Sequence, residues 1–210
     1  MRCLREVAVE QLEQAPEEEV WLIADNSDLR KPYAEAMPYL MQVPDLEGEL
    51  VPGYRTINVP GVTPGRRGLL YHHLFSSRTP DFVSEPAEVQ EALEKVSQAL
   101  TPLKDRKTIT WLLDSGFDDA AVWRTIWQAR EHLVCRVYHL ERLVSFQDRT
   151  GQWQESNLGQ ARGQMQLLAR VQTTLVAKRG TQPRAKKQQA EVEIAACPVR
   201  PTLLLTFTTF

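Results

Sequence analysis

At 210 residues the chain has room for one well-filled core and part of a second unit, and its 42% apolar and 25% charged residues exclude a wholly disordered or low-complexity protein. No stretch approaches the roughly 20 apolar residues of a membrane span, and the glutamate-rich start lacks the apolar centre of a secretory signal, so a cytoplasmic protein is expected. The net charge of −2 conceals an acidic body, with 17 Lys/Arg against 25 Asp/Glu over residues 1–161, and a basic tail, with 8 against 2 over residues 162–210. A basic tail of this kind is a candidate footprint for a polyanion, or else a solvated loop.

Residues 1–19 read as an amphipathic helix or an arm. Val20 to Ala24 is a short apolar run of the kind that forms a strand buried on both faces, and it gives way abruptly to Asp25-Asn26-Ser27-Asp28. Carboxylates are therefore expected at the carboxyl end of a central strand. The stretch from Leu29 to Gly53, with Pro32, Pro38, Pro44 and Pro52, reads as loop with short helical turns. Arg55–Val62 and Gly68–Ser76 read as an antiparallel hairpin around a Pro/Gly turn that carries Arg66 and Arg67.

Ser84 to Leu100 is the clearest helix: Ser84 or Glu85 caps it, Pro86 suits its first turn, Val89, Ala92, Leu93, Val96 and Leu100 recur at helical spacing, and Pro102 ends it. Thr108–Leu113 is a second buried-type strand, and it too runs into a carboxylate, Asp114. Asp118 or Asp119 then caps a helix through Val122, Trp123, Ile126 and Trp127, and a further strand is expected from His132 to His139. Past residue 145 the texture turns polar and β-rich, with a basic stretch around Lys178, Arg179, Arg184, Lys186 and Lys187. The predicted organisation is an arm (1–19), a core (20–145) and an incomplete, basic, β-rich insertion (146–210). The order strand, hairpin, helix, strand, helix, strand is that of an α/β, ribonuclease H-like mixed sheet flanked by helices, in which the strands leading to Asp25 and Asp114 are neighbours.

Two carboxylates delivered from adjacent strands suit hard divalent cations, Mg²⁺ or Mn²⁺, which prefer oxygen ligands and keep several waters. Such ions activate an attacking oxygen and stabilise a leaving oxygen at a phosphodiester. A strand ending in aspartate is by itself as compatible with a helix cap or a turn. Asp28 is an alternative ligand, or caps or pairs with Arg30, and Asp118 and Asp119 read as caps. His72 and His73 in one strand point to opposite faces, and Trp111, Trp123 and Trp127 read as packing residues. Cys3, Cys135 and Cys197 show no paired spacing and are expected to be reduced, buried and inert.

The segment from Ile23 to Ala34, IADNSDLRKPYA, resembles the first catalytic-aspartate segment of insertion-sequence transposases with a DDE core. Leu112 to Asp118, LLDSGFD, is similar to the second, and Thr79 to Glu85 stands between them as in that family. The resemblance covers about residues 20–145. It implies that Asp25 and Asp114 are the first and second metal ligands, that Mg²⁺ or Mn²⁺ is the cofactor, and that the chemistry is DNA strand cleavage and strand transfer. Double-stranded DNA at transposon ends is then the partner, with self-association a further expectation and the basic tail contacting phosphates.

The family's third acid, a glutamate on a late helix, has no counterpart that the sequence reveals. Glu191 and Glu193 alternate along a strand-like run and read as sheet surface. The chain is expected to be truncated inside the insertion, with impaired activity. Two rival readings stay open: an inactive DNA-binding or dimerising remnant, and a phosphohydrolase with Asp25 as nucleophile. The latter is disfavoured because the usual partner acid two residues on is Ser27.

Overall fold

A computed structural model describes residues 3–201 except residues 35, 149, 163–165, 178–185 and 197–198, with the backbone alone from residue 162 onward. The chain divides into two compact units, residues 1–138 and 139–210.

The first unit opens with helix α1 (Leu4–Glu13), whose N-terminus is closed by the Glu6 carboxylate accepting from the Cys3 backbone N–H at 3.1 Å. Strand β1 (Glu19–Arg30) does not stop at the aspartate as the sequence predicts but continues through Asp25-Asn26-Ser27-Asp28 to Arg30. The reason is its partner: strand β3 (Leu50–Val62) lies antiparallel along it from Trp21↔Val62 to Arg30↔Gly53, so the polar half of β1 has backbone partners without needing an apolar sequence. Part of the expected loop is also strand. Strand β2 (Met41–Pro44) pairs with residues 50–53 of β3, and strand β4 (Arg67–Phe75) pairs with residues 55–62, completing the expected hairpin. Pro60-Gly61, which the sequence marks as punctuation, lies inside β3, where a bulge at Val59/Pro60 absorbs the proline.

Helix α2 (Glu85–Ala99) begins where expected: the Ser84 hydroxyl accepts from Ala87 N–H at 3.2 Å, and Pro86 occupies the first turn. A 3₁₀ turn at Thr101–Leu103 ends it. Strand β5 (Thr108–Leu113) pairs parallel with β1, and helix α3 (Ala120–Gln128) follows, capped by Asp119. Strand β6 (His132–Cys135) pairs parallel with β5 and is shorter than predicted. It runs out of partner, because β5 itself ends at Leu113.

The result is a mixed sheet with β3 at the junction of β2 and β4, then β1, β5 and β6. Val20, Leu22 and Ala24 of β1 and Ile109, Trp111 and Leu113 of β5 are buried on one face. α1 lies on that face so closely that a Cβ on Gly61 would meet a Leu12 methyl at 2.6 Å, and one on Gly68 would meet Ala8 Cβ at 2.6 Å and its Cα at 2.9 Å. The other face keeps Ile23, Leu74 and Val134 substantially exposed.

The core face also holds a buried carboxylate. Glu131 accepts from Trp111 Nε1 at 2.6 Å and from the Ser97 hydroxyl at 2.7 Å, and it pairs with Lys104 Nζ at 2.7 Å. One side chain thus ties β5, α2 and the segment after α2 together. No helix among the described residues is long and apolar enough to cross a membrane.

In the second unit, strands β7 (Leu143–Gln147) and β8 (Trp153–Asn157) form a hairpin, and helix α4 (Leu158–Arg162) follows. Val144, Phe146 and Ala161 make a small core with Leu158 packed against it. Asp148 organises the hairpin turn. The Thr150 hydroxyl and the Thr150 and Gln152 backbone N–H groups donate to its carboxylate and hold it below its ordinary pKa. Strands β9 (Gln166–Ala177) and β10 (Lys186–Ala196) pair antiparallel, and β11 (Val199–Pro201) adds to β7.

Two stability measurements follow from these contacts. Gly68→Ala forces its methyl against the α1 backbone, which cannot move aside like a side chain, so urea denaturation should show a loss of about 1–3 kcal/mol. Lys104→Met leaves Glu131 buried without its cation and should cost about 3 kcal/mol by the same assay, whereas the exposed Arg124→Gln should stay within about 0.5 kcal/mol.

Candidate metal centre

The register of the two parallel strands decides where the carboxylates lie. β1 and β5 pair from Glu19↔Thr108 to Ala24↔Leu113, and the next residue on each strand is Asp25 and Asp114. At that step the paths diverge. Asp25 continues in β1, with Asn58 as its partner on β3, while Asp114 turns away to cap a 3₁₀ turn at Ser115–Phe117. Side chains alternate along β1, so burial of Val20, Leu22 and Ala24 sends Asp25 to the open face with Ile23 and Ser27.

Both aspartates line one open cleft of about 740 Å³, together with Asn58, Cys135 and Arg136. Its floor is apolar, with contributions from Ile23, Leu112 and Val134. Each carboxylate is partly held. The Ser27 hydroxyl donates to Asp25 Oδ2 at 2.7 Å, and Gly116 N–H donates to Asp114 Oδ1 at 2.9 Å. Asn58 is oriented by its own neighbours: its amide donates to the Thr56 hydroxyl at 3.2 Å, and its carbonyl lies 2.8 Å from His72 Nδ1. Asp25, Asn58 and His72 thus form a polar row across β1, β3 and β4.

The donor set suits a hard cation in number and kind. Mg²⁺ is commonly held by only one or two carboxylates, with waters and substrate phosphate completing its shell, and both oxygens here face solvent rather than a packed core. Among the described residues no group of three or more His, Cys, Asp or Glu is arranged to hold a metal ion. Asp25 and Asp114 are the carboxylates that line the cleft among the described residues.

Other expectations sort by face. Asp28, an odd number of residues from Asp25, points to the opposite side of β1 and lies 3.5 Å from Arg55 Nε, its cross-strand neighbour. It does not pair with Arg30, whose Nε donates to the Pro44 carbonyl at 2.8 Å. His73 lies 3.1 Å from Glu88 of α2, on the face away from His72. Asp119 is a cap as expected, but Asp118 is buried and accepts from Tyr138 N–H at 2.6 Å.

The expectation of buried cysteines fails for Cys3, which is exposed at the start of α1, and for Cys135, which is half-buried in the cleft because β6 ends there. Cys197, Lys178, Arg179 and Arg184 lie outside the described residues. Lys186 and Lys187 open β10 opposite Ala177 and Val176, and Glu191 and Glu193 lie farther along it.

Asn58, Cys135 and Arg136 are cleft residues that sequence reasoning passed over. The available signal was the end of the third parallel strand, since ligands of open α/β sheets gather beyond the carboxyl ends of such strands. Asn58 had a weaker one, as a polar residue within an alternating strand.

No family model matches the chain, and no curated protein sequence matches it. Among solved structures it is similar to the piggyBac transposase in a synaptic complex with hairpin DNA, at 14% identity, covering 64% of this chain and 26% of that one with a TM-score of 0.42. It is also similar to the Mos1 mariner paired end complex with Mn, at 16% identity, covering 65% of this chain and 43% of that one with a TM-score of 0.35. The chain thus spans well under two thirds of either.

The exposure of the two cysteines is directly measurable. Brief treatment of the folded protein with a maleimide, followed by peptide mass analysis, should label Cys3 and Cys135; a Cys135 that reacts only after denaturation would contradict its place in the cleft.

Proposed function

We propose that residues 20–145 form a ribonuclease H-like core of the DDE transposase type, and that Asp25 and Asp114 hold a divalent cation, Mg²⁺ or Mn²⁺, for phosphoryl transfer on DNA. The observation that carries this reading is the shared β1–β5 register, which brings both carboxylates into one solvent-open cleft. The strand order supports it: an antiparallel β4, β3, β1 half joined to a parallel β1, β5, β6 half, with the first aspartate on the strand common to both.

When bound, the ion supplies Lewis-acid stabilisation of phosphate oxygens and lowers the pKa of a bound water. This chain's own residues do the rest. Asp25 and Asp114 hold the cation, and Ser27 and Gly116 fix the two carboxylates. Double-stranded DNA is the proposed substrate, with Lys178, Arg179, Arg184, Lys186 and Lys187 contributing phosphate contacts without sequence preference.

A second reading is a remnant that binds DNA without cutting it. It is favoured by one specific observation, that the two aspartates have no third acid in ligand geometry among the described residues.

A titration of Mn²⁺ followed by electron paramagnetic resonance, paired with nicking of supercoiled DNA, tests the proposal. Wild type should take up Mn²⁺, and Asp25→Asn and Asp114→Asn should each weaken uptake by tenfold or more. Asp28→Asn, on the opposite face, should not. Nicking that disappears with either aspartate supports the transposase reading, and Mn²⁺ uptake without nicking supports the remnant. Equal Mn²⁺ uptake by wild type and both variants would overturn the metal site.

A further inference from the structure

We infer that Arg136 is the phosphate-binding residue of this cleft, holding a DNA phosphodiester against the cation proposed at Asp25 and Asp114; the inference rests on that metal-site reading. Its backbone is pinned beside the last paired residue of β5, since Arg136 N–H donates to the Leu113 carbonyl at 3.1 Å. That contact places residue 136 next to Asp114 in space although 22 positions separate them in sequence. Arg136 lines the cleft with both aspartates. Its side chain is exposed and makes no hydrogen bond or ion pair among the described residues.

An arginine in a cleft with two carboxylates ordinarily pairs with one of them, because the bidentate contact is the strongest hydrogen-bonded arrangement open to it. Arg30, Arg55 and Arg106 of the same unit do find acceptors. Arg136 is held at the rim with its five donors unspent, the state expected of a group whose partner is not part of the protein.

The charge balance explains why such a group is required. Two ionised aspartates with one divalent ion make a neutral site, which gives a phosphodiester coordination but no net Coulombic attraction. Arg136 adds the one positive charge that matches the one negative charge of the diester. Its planar guanidinium can grip two phosphate oxygens at once, which a point-charge ammonium does not.

Before the cation binds, the sign reverses. The two carboxylates then repel the diester, and Arg136 has little to hold. The expected signature is therefore a cation-dependent contribution to DNA affinity, which a generic surface arginine lacks.

Fluorescence anisotropy of a short duplex, with Ca²⁺ as a non-catalytic ion or with EDTA, reads this without relying on turnover. Arg136→Gln should weaken binding about tenfold in Ca²⁺ and less than twofold in EDTA, on any duplex sequence. The slope of log K against log salt should fall by about 0.9, the value for one lost duplex phosphate contact. Arg136→Lys should restore the slope but only part of the affinity. Arg124→Gln, an equally exposed arginine on α3, controls for loss of net charge and should behave alike with and without Ca²⁺.

Wild type that takes up no Mn²⁺ overturns both this inference and the reading beneath it. Wild type that takes up Mn²⁺ while Arg136→Gln binds duplex like Arg124→Gln overturns the inference alone, as does wild type whose duplex binding is unchanged by Ca²⁺.

Discussion

The parallel pairing of β1 with β5 is the constraint on which the first unit depends. Its core side is apolar at every alternate position, and its start is locked from outside the sheet: Lys107 Nζ donates to the Ala15 and Glu17 carbonyls at 2.7 and 2.8 Å, and Thr108 N–H donates to the Glu18 carbonyl at 2.7 Å. Register in a sheet buried on one face is strongly specified, since a slip of one residue sends every core side chain to solvent. The apolar residues that protect Ala24↔Leu113 therefore also determine where Asp25 and Asp114 fall. Packing on one face sets which side chains meet on the other.

The division between faces runs through the unit. α1 approaches the sheet at Gly61 and Gly68, and α2 meets the same side, so the hydrophobic burial that stabilises the fold is concentrated there. Nothing on the cleft side is needed for that burial. Polar residues such as Ser27, Thr56, Asn58 and His72 are tolerated in mid-sheet because their backbones are satisfied by strand pairing and their side chains find partners: Asn58 bonds Thr56 and His72, the Thr56 hydroxyl donates to the Ser27 carbonyl, and the Ser27 hydroxyl donates to Asp25. The bent end of β5, where Gly116 closes a turn onto Asp114, then opens a gap beside β1 that side chains do not fill.

How much of this was legible in the sequence depended on which force held each element. Thr108–Leu113 and the helix capped by Ser84 were read with correct ends because apolar pattern and capping chemistry are local. β1 was ended too early, at Ala24, because Asp25 to Arg30 is strand only through its long-range pairing with β3. β2 was missed for the same reason, since Met41–Pro44 has strand geometry only while residues 50–53 lie beside it. The pairing of the two aspartates was legible from two apolar runs that each met a carboxylate. Asn58, Cys135 and Arg136 were not, because membership of the cleft depends on cross-strand register and on where β6 stops, and neither is written in any local window.

Three carboxylates around β5 are held in two different ways. Glu131, on the core side, is buried and receives a tryptophan N–H, a hydroxyl and an ammonium, so its charge is answered within the protein. Removing one of those partners would leave a buried charge under-compensated and would be strongly destabilising. Asp25 and Asp114 differ on both counts. Each receives a single short-range donor, from Ser27 or Gly116, which fixes its direction without neutralising it. Among the described residues neither forms an ion pair, although Arg136 shares their cleft. Both face the same open cleft rather than the packed core. On the proposed reading, the open face and the spare lone pairs of these two carboxylates are what an entering cation would use.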